Sequence, residues 1–267
     1  MRPDPIRRAL LPAVLLLASC ALQPPPPPYP AFIAVDELPD AYVAGLPGVR
    51  ARQLSVDPRT QRASYRIDVP PDWSFSTGAS PEMSVEIYVL AGDIRIGEFL
   101  LDAGGYAYLP AGTSGVRMAS ESGALMLYFL DDHDPAAVIR TPIISDSDLL
   151  PWNAEDVGVF YKDLRSDPGS GARSWLMRVG PEAIVPFRQS NQAVEGYLLE
   201  GAITWTECVS GEPGAGDYLA GGYFHRPPGA VHGGPASATA SGAVWYLRVT
   251  GEEQAETVDG CPAASDQ

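Results

Sequence analysis

The sequence predicts an all-β protein built from one β-domain written twice, and three observations carry that expectation. Turn formers are dense, with 27 glycines and 27 prolines in 267 residues, and apolar stretches at the 3.6-residue helical spacing are scarce. Short apolar runs at 86–90, 124–130, 196–199 and 243–249 read as strands punctuated by Gly, Pro and Asp turns. The third observation is an internal repeat. Leu54, Asp57-Pro58 and Ser64-Tyr65 match Leu164, Asp167-Pro168 and Ser174-Trp175 at an offset of 110. Residues 86–92, EIYVLAG, match 195–201, EGYLLEG, at 109. Gly104, Pro110 and Gly112 match Gly221, Pro227 and Gly229 at 117, and Gly123-Ala124 matches Gly242-Ala243 at 119. The offset drifts where loops absorb it, chiefly across 211–216. Helix is expected only in short pieces, around Asp36 to Val43.

The repeat divides the chain. Residues 1–19 form a secretory signal, with a basic start at Arg2, Arg7 and Arg8 and an apolar stretch from Ala9 to Ala18. Ten residues are too short to span a bilayer, which takes about 20. Residues 20–34 follow as a Pro-rich tether, stiffened by Pro24 to Pro28. An N-terminal domain then occupies 35–134, a C-terminal domain 135–255, and a tail 256–267. Leu17-Ala18-Ser19-Cys20 resembles a bacterial lipobox. That resemblance implies a lipid on Cys20, and Ala21 after it implies the outer membrane, facing the periplasm.

The net charge is −15, and removal of 1–19, which holds three arginines and one aspartate, takes it to −17. Such a balance argues against nucleic acid and anionic membrane surfaces, leaving the Cys20 lipid as the contact with a membrane. Lys162 is the only lysine, hence the one Schiff-base candidate. Cys208 and Cys261 fall in the second half. An oxidising compartment permits their pairing, but sequence leaves it open.

Residues 221–232 carry the most specific motif: Gly221, five residues, Pro227-Pro228-Gly229, two residues, His232. Proline presets one turn dihedral and glycine permits the other, so the next strand aims His232 inward. This stretch resembles the second motif of the cupins, small jelly-roll barrels, with Ala236 where the family has Asn. The tandem as a whole resembles the ChrR-like two-cupin proteins of bacteria. The resemblance implies tandem cupin barrels in one chain, of which the first is degenerate.

Metal-binding cupins also carry His-x-His and a glutamate before a glycine turn. In the second half that glutamate corresponds to Glu195, upstream of Gly201 by one residue fewer than the family's spacing, and the histidines to Gln189 and Asn191. A slip of one residue substitutes Arg188 and Ser190. Amide oxygens are weak metal ligands, so the remaining metal set is His232 and Glu195, with His225 as a third donor, suited to Fe, Mn, Ni or Zn. The first half has Ser80, Glu82, Glu86 and Gly115 at these positions. His133 lies in the acidic turn 131–134 and is expected to be exposed. Arg178, Arg188 and Arg226 are candidates to orient an anion, and Tyr197, Trp205, Tyr218, Tyr223 and Trp245 to line a pocket.

Three functions follow. The first is a surface-anchored bicupin binding a small polar or anionic molecule in its second barrel, at Gln189, Asn191, Glu195, His232, Arg178 and Tyr197. The second is a metal-dependent oxygenase or isomerase using His232 and Glu195. The third is a non-catalytic interaction or structural lipoprotein. A homodimer is compatible with each.

Overall fold

Each half contributes ten strands in the same order. The computed structural model describes residues 31–43, 45–57, 59–76, 82–209 and 212–262; the signal segment, Cys20, the run Pro24 to Pro28 and Ser80 lie outside the described residues. The first half holds β1 (Ala31–Ala34), β2 (Asp40–Ala41), β3 (Arg50–Asp57), β4 (Arg62–Val69), β5 (Trp73–Ser76), β6 (Met83–Ile96), β7 (Phe99–Asp102), β8 (Gly105–Leu109), β9 (Arg117–Ser120) and β10 (Ala124–Asp132). The second holds β11 (Ile143–Asp146), β12 (Asn153–Asp156), β13 (Val159–Ser166), β14 (Arg173–Val179), β15 (Phe187–Ser190), β16 (Val194–Val209), β17 (Glu212–Leu219), β18 (Gly222–Arg226), β19 (His232–Gly233) and β20 (Ala243–Val249). One further strand, β21 (Ala255–Val258), has no counterpart in the first half.

Pairing is antiparallel and repeats with an increment of ten. β6 pairs with β7, β8, β9 and β10, and β16 with β17, β18, β19 and β20. The long strands β6 and β16 thus run through both sheets of their barrels. They bend at Gly92 and Gly201, whose φ values are +74° and +81°. A Cβ at either glycine would lie 2.1 Å from the carbonyl oxygen of Gly123 or Gly242, so neither position accepts another residue without backbone movement. The Pro-Pro-Gly corner closes as a turn, with Ala230 N donating to Pro227 O at 3.2 Å and Gly229 at φ +79°. Its first-half equivalent, Thr113 N to Pro110 O with Gly112 at +85°, is the same turn.

The first strand of each half is exchanged. β1 pairs with β18 in the second barrel, and β11 pairs with β8 in the first. Ala31–Ala34, expected within the tether, are therefore a strand of the C-terminal barrel. The short helix expected at Asp36 to Val43 is a single 3₁₀ turn, Val35–Glu37. Pro39 supplies no N–H, and Asp40–Ala41 are drawn into pairing with β3.

Three apolar clusters result: one inside each barrel and one between them. The middle cluster is rich in tyrosine, with Tyr88, Tyr106, Tyr108, Tyr197, Tyr223 and Tyr246 packed around Leu127, Phe129, Leu164 and Leu176. Embedded in it is a buried charge network. Glu86 accepts hydrogen bonds from Tyr106 and Tyr246, both at 2.8 Å, and from Arg165 at 3.4 Å. Glu195, its repeat counterpart, accepts from Ser64 at 2.6 Å and Ser55 at 3.4 Å. Arg248 lies over the Phe129 ring at 4.4 Å, 3.8 Å from both glutamates, and is bonded to Asp131. Burial alone would push the Glu86 carboxyl up, yet Arg165 and Arg248 hold it below the ordinary carboxylate range.

Arg248→Met would leave three carboxylates facing one another across the barrels with a single cation, Arg165, nearby. Removing one partner of a buried ionic group costs about 3–5 kcal/mol. Urea unfolding of the variant should show a loss of that size, as a transition midpoint below that of the parent protein. A loss below about 1 kcal/mol would mean the network contributes nothing to holding the barrels together.

Candidate ligand cavity in the second barrel

Strand alternation decides which side chains reach the interior of the second barrel. Along β14, Arg173, Trp175, Met177 and Val179 line a cavity, whereas Ser174 and Leu176 turn toward the other barrel. Along β20, Trp245 and Leu247 line it, and Tyr246 and Arg248 do not. β18 presents Phe224 and Arg226, and β16 presents Val194 and Trp205. The change from even to odd numbers along β16 has a cause: pairing with β20 slips between Leu198 and Glu200, a bulge that reverses the face.

The cavity encloses about 210 Å³ and holds three of the five tryptophans. His232 sits beside Trp205, ring centroids 6.0 Å apart, and its Nδ1 is buried without a hydrogen-bond partner. Behind Arg226 lies Glu207, buried with it; Arg226 donates to Glu207 at 2.6 Å from Nη2 and 3.0 Å from Nε, and its guanidinium lies 3.5 Å from the Phe224 ring centroid. Toward the mouth Arg188 donates to Glu155 at 2.9 Å. The tail forms part of the rim: β21 pairs with β15, and Glu253 and Ala255 line the opening. Cys208 and Cys261 are bonded, which staples this tail to β16. A closed loop of 53 residues' separation contributes about 4 kcal/mol in the chain-entropy account.

The sequence-derived candidates divide between two places. His232, Gln189, Arg188, Arg226, Trp205 and Trp245 line the cavity. Glu195 and Tyr197 do not: Val194 faces the interior, so Glu195 and Tyr197 point into the inter-barrel contact. The one-residue deficit in the spacing to Gly201 has this meaning. His225 sits opposite Glu195 in the β16–β18 ladder, between the cavity residues Phe224 and Arg226 and hence on the other face. Arg178 lies outside, 4.7 Å from the rings of both Trp152 and Phe160. Asn191 instead pins the tail, accepting from Gln254 N at 2.7 Å and donating to Glu252 O at 3.3 Å. Tyr218 packs edge-on against Phe32 and Trp245, and Tyr223 belongs to the inter-barrel cluster. His133 is exposed, and Lys162 is buried with Nζ donating to Ser147 O at 2.8 Å.

These positions do not fit a metal centre of the family's kind. His232, Glu195 and His225 do not converge, because β-alternation places them on opposite faces. Among the described residues no three His, Cys, Asp or Glu side chains gather as a cation site. His232 is the one imidazole lining the cavity, and the Arg226 charge that lowers its proton affinity also opposes a cation there. Glu207 went unnoticed in the sequence; its signal was Arg226, a charged residue on an otherwise apolar strand that needed a buried partner.

The first barrel answers the same interior positions differently. Trp205, Phe224, Arg226 and Trp245 correspond to Ile96, Ala107, Leu109 and Met126, at most 4% exposed and packed together with Ile67, Ile87, Val89, Ile94 and Met118.

A family model described as a domain of unknown function (DUF4437) matches residues 37–255. No curated protein matches the chain. Among solved structures, a proposed dioxygenase from Nostoc punctiforme is 22% identical with a TM-score of 0.68, over 85% of this chain and 86% of that one. A variant of Bacillus subtilis oxalate decarboxylase is 17% identical with a TM-score of 0.57, over 85% and 79%. A cupin 2 conserved barrel domain protein from Leptotrichia buccalis is 11% identical with a TM-score of 0.58, over 82% and 96%. At these identities the likeness establishes the fold: two cupin-type jelly-roll barrels in tandem.

Burial, and then the charge of Arg226, hold the His232 imidazole well below its ordinary 6.5. Above pH 6.5 the ring is neutral in folded and unfolded chains alike. As pH falls below that value the unfolded chain takes up a proton that the folded one refuses, so stability is lost on acidification. The melting temperature should fall between pH 6.5 and pH 5, and His232→Gln should flatten that part of the curve. Superimposable pH profiles of the two proteins would show that the ring is not held neutral.

Proposed function

We propose that this chain, which belongs to the DUF4437 family, is a small-molecule-binding protein whose ligand enters the C-terminal barrel without a metal. The observation carrying this reading is the asymmetry between two barrels of one topology. The first fills the positions of Trp205, Phe224, Arg226 and Trp245 with Ile96, Ala107, Leu109 and Met126, and the second keeps a cavity of about 210 Å³ lined by Trp175, Trp205 and Trp245. Maintaining such a void forgoes packing, about 24 cal/mol per Å³ of cavity in one well-studied series, so a hollow interior beside a filled homologous one favours a ligand. The first barrel then acts as a scaffold, donating β1 to the wall of the second. This arrangement supports a bicupin of the ChrR-like kind.

The same reading keeps the export and anchoring expected from the N-terminus: a lipid on Cys20 holds the protein to the outer membrane, facing the periplasm. The Cys208–Cys261 bond supports it, since disulfides persist in oxidising compartments. Net charge −15 supports partners other than nucleic acid.

Two measurements test these proposals. A library of one- and two-ring fragments, neutral and charged, should yield compounds that quench tryptophan fluorescence. Val194→Phe, which fills the cavity, should weaken them at least tenfold. An empty screen, or hits indifferent to Val194→Phe, would overturn the binding reading. For the anchor, mass spectrometry of protein extracted from the producing cell should find a mature chain starting at lipid-modified Cys20. A chain starting at Met1, or an unmodified Cys20, would reject it.

A further inference from the structure

Every cation that lines the cavity is already answered. Arg226 is engaged by Glu207 at 2.6 Å, Arg188 by Glu155 at 2.9 Å, and Arg173 by Asp163 at 2.7 Å while lying 4.7 Å from the Trp175 ring. An anionic ligand entering this space would meet carboxylates behind those arginines and further ones, Asp156 and Glu253, at the mouth. It would give up its hydration for cations whose charge is spent. The surroundings are equally unsuited to a cationic ligand, since the wall holds Arg226 close to His232 and the carboxylates inside are paired.

What the wall does offer is aromatic surface, and three of its side chains carry unanswered neutral polar atoms. Trp175, Trp205, Phe224 and Trp245 surround the space from four different strands. Trp205 Nε1, Trp245 Nε1 and His232 Nδ1 are buried without hydrogen-bond partners. Indole N–H groups are donors only, and buried orphan donors are rare in folded proteins. His232 adds a neutral imidazole, which can present one N–H. A ring stacking on these faces and carrying an uncharged acceptor, such as a carbonyl oxygen, complements both features. An apolar cavity of about 150 Å³ holds one benzene, so about 210 Å³ suits one ring with a short substituent, or two fused rings. At the rim, Ile184 is 73% exposed, an apolar lip on a mouth otherwise edged by Glu155, Asp156 and Glu253.

Resting on the binding reading above, we infer that the second barrel selects an uncharged aromatic compound of one or two rings bearing a hydrogen-bond acceptor, and discriminates against its carboxylate analogues. The choice replaces the anionic ligand expected from Arg178, Arg188 and Arg226. Of these, one lies outside the cavity and two are neutralised by glutamates that the sequence did not associate with them.

Three compounds of matched size separate the terms: acetophenone, neutral and aromatic; benzoate, its anionic counterpart; and cyclohexyl methyl ketone, with the same acceptor and no aromatic ring. Their dissociation constants for the full chain are measured by titration calorimetry at pH 7, beside the Val194→Phe variant. Acetophenone should bind at least tenfold more tightly than either of the others, and lose at least tenfold in the variant. Benzoate binding as tightly as acetophenone would overturn the selection for neutral ligands. Cyclohexyl methyl ketone doing so would overturn the aromatic requirement. If none of the three binds while other fragments bind in a manner sensitive to Val194→Phe, the ligand class is wrong and the cavity reading stands. If nothing binds at all, both fall.

Discussion

Arg248 is the residue through which the two barrels become one structure. It sits on the outward face of a central strand of the second barrel and reaches a carboxylate pair belonging to the first, Glu86 and Asp131, as well as Glu195 of its own. Around it the repeat produces paired surroundings. Glu86 is bonded by Tyr106 and lies among Ser174 and Arg165 of the other half, and Glu195 by Ser64 and Ser55 of the other half. Burying charge is costly unless every group is answered. The tyrosine hydroxyls, serines and guanidinium groups answer these, so the two faces fit in one register. The exchange of β1 and β11 reinforces that fit, because each barrel is completed by a strand of its neighbour. Neither half, separated at the middle of the chain, would contain all the strands of its own sheet.

A second constraint allocates side chains between this interface and the interior. On each long strand the bulge ahead of Gly92 or Gly201 reverses the face, so positions 86 and 88 look to the partner barrel while 94 and 96 look inward. In the second half 195 and 197 look to the partner while 203 and 205 look inward. The glycine is needed because the carbonyl of Gly123 or Gly242 occupies the space a Cβ would take. One backbone irregularity thus decides that Glu195 serves assembly and that Trp205 serves the cavity.

This accounts for what the sequence disclosed and what it concealed. The repeat was legible because its markers are backbone requirements: Gly92, Gly104, Gly112 and Gly123 all have positive φ, as do Gly201, Gly221, Gly229 and Gly242. Such positions tolerate little else, and they recur in the same order while loop lengths and the side chains around them change. The Pro-Pro-Gly corner was legible for the same reason, and so was the inward aim of His232. The faces of Glu195 and Tyr197 were not, since alternation carries a parity only until the first bulge, and the bulge has no residue signature of its own. The face of His225 was hidden because the Pro-Pro-Gly corner separates it from His232. The partner of Arg226 was hidden for a different reason. Glu207 lies 19 residues away in the chain, on the far side of that bulge, within a stretch whose apolar neighbours give it no separate signal. The strand exchange was hidden because Ala31–Ala34 follow the prolines directly and nothing in four residues says which barrel they complete.

The divergence of the two interiors follows from where change was free. Residues on the interface face are bound into a network in which removing one charge strands another. Interior residues answer only to volume and polarity, and volume-conserving apolar changes are tolerated. The first barrel has taken the aliphatic solution, with Ile96, Ala107, Leu109 and Met126 closing the space. The second has Trp205, Phe224, Arg226 and Trp245 in those positions, side chains too large and too rigid to collapse upon one another, and a cavity remains among them. Arg226 within such an interior obliges a buried carboxylate, which Glu207 supplies, while burial and then the charge of Arg226 depress the proton affinity of His232. The second barrel thereby acquires a wall that is aromatic, polar and without net charge. Its chemistry rests on a pairing made inside the barrel, and the barrel keeps its shape through a pairing made outside it.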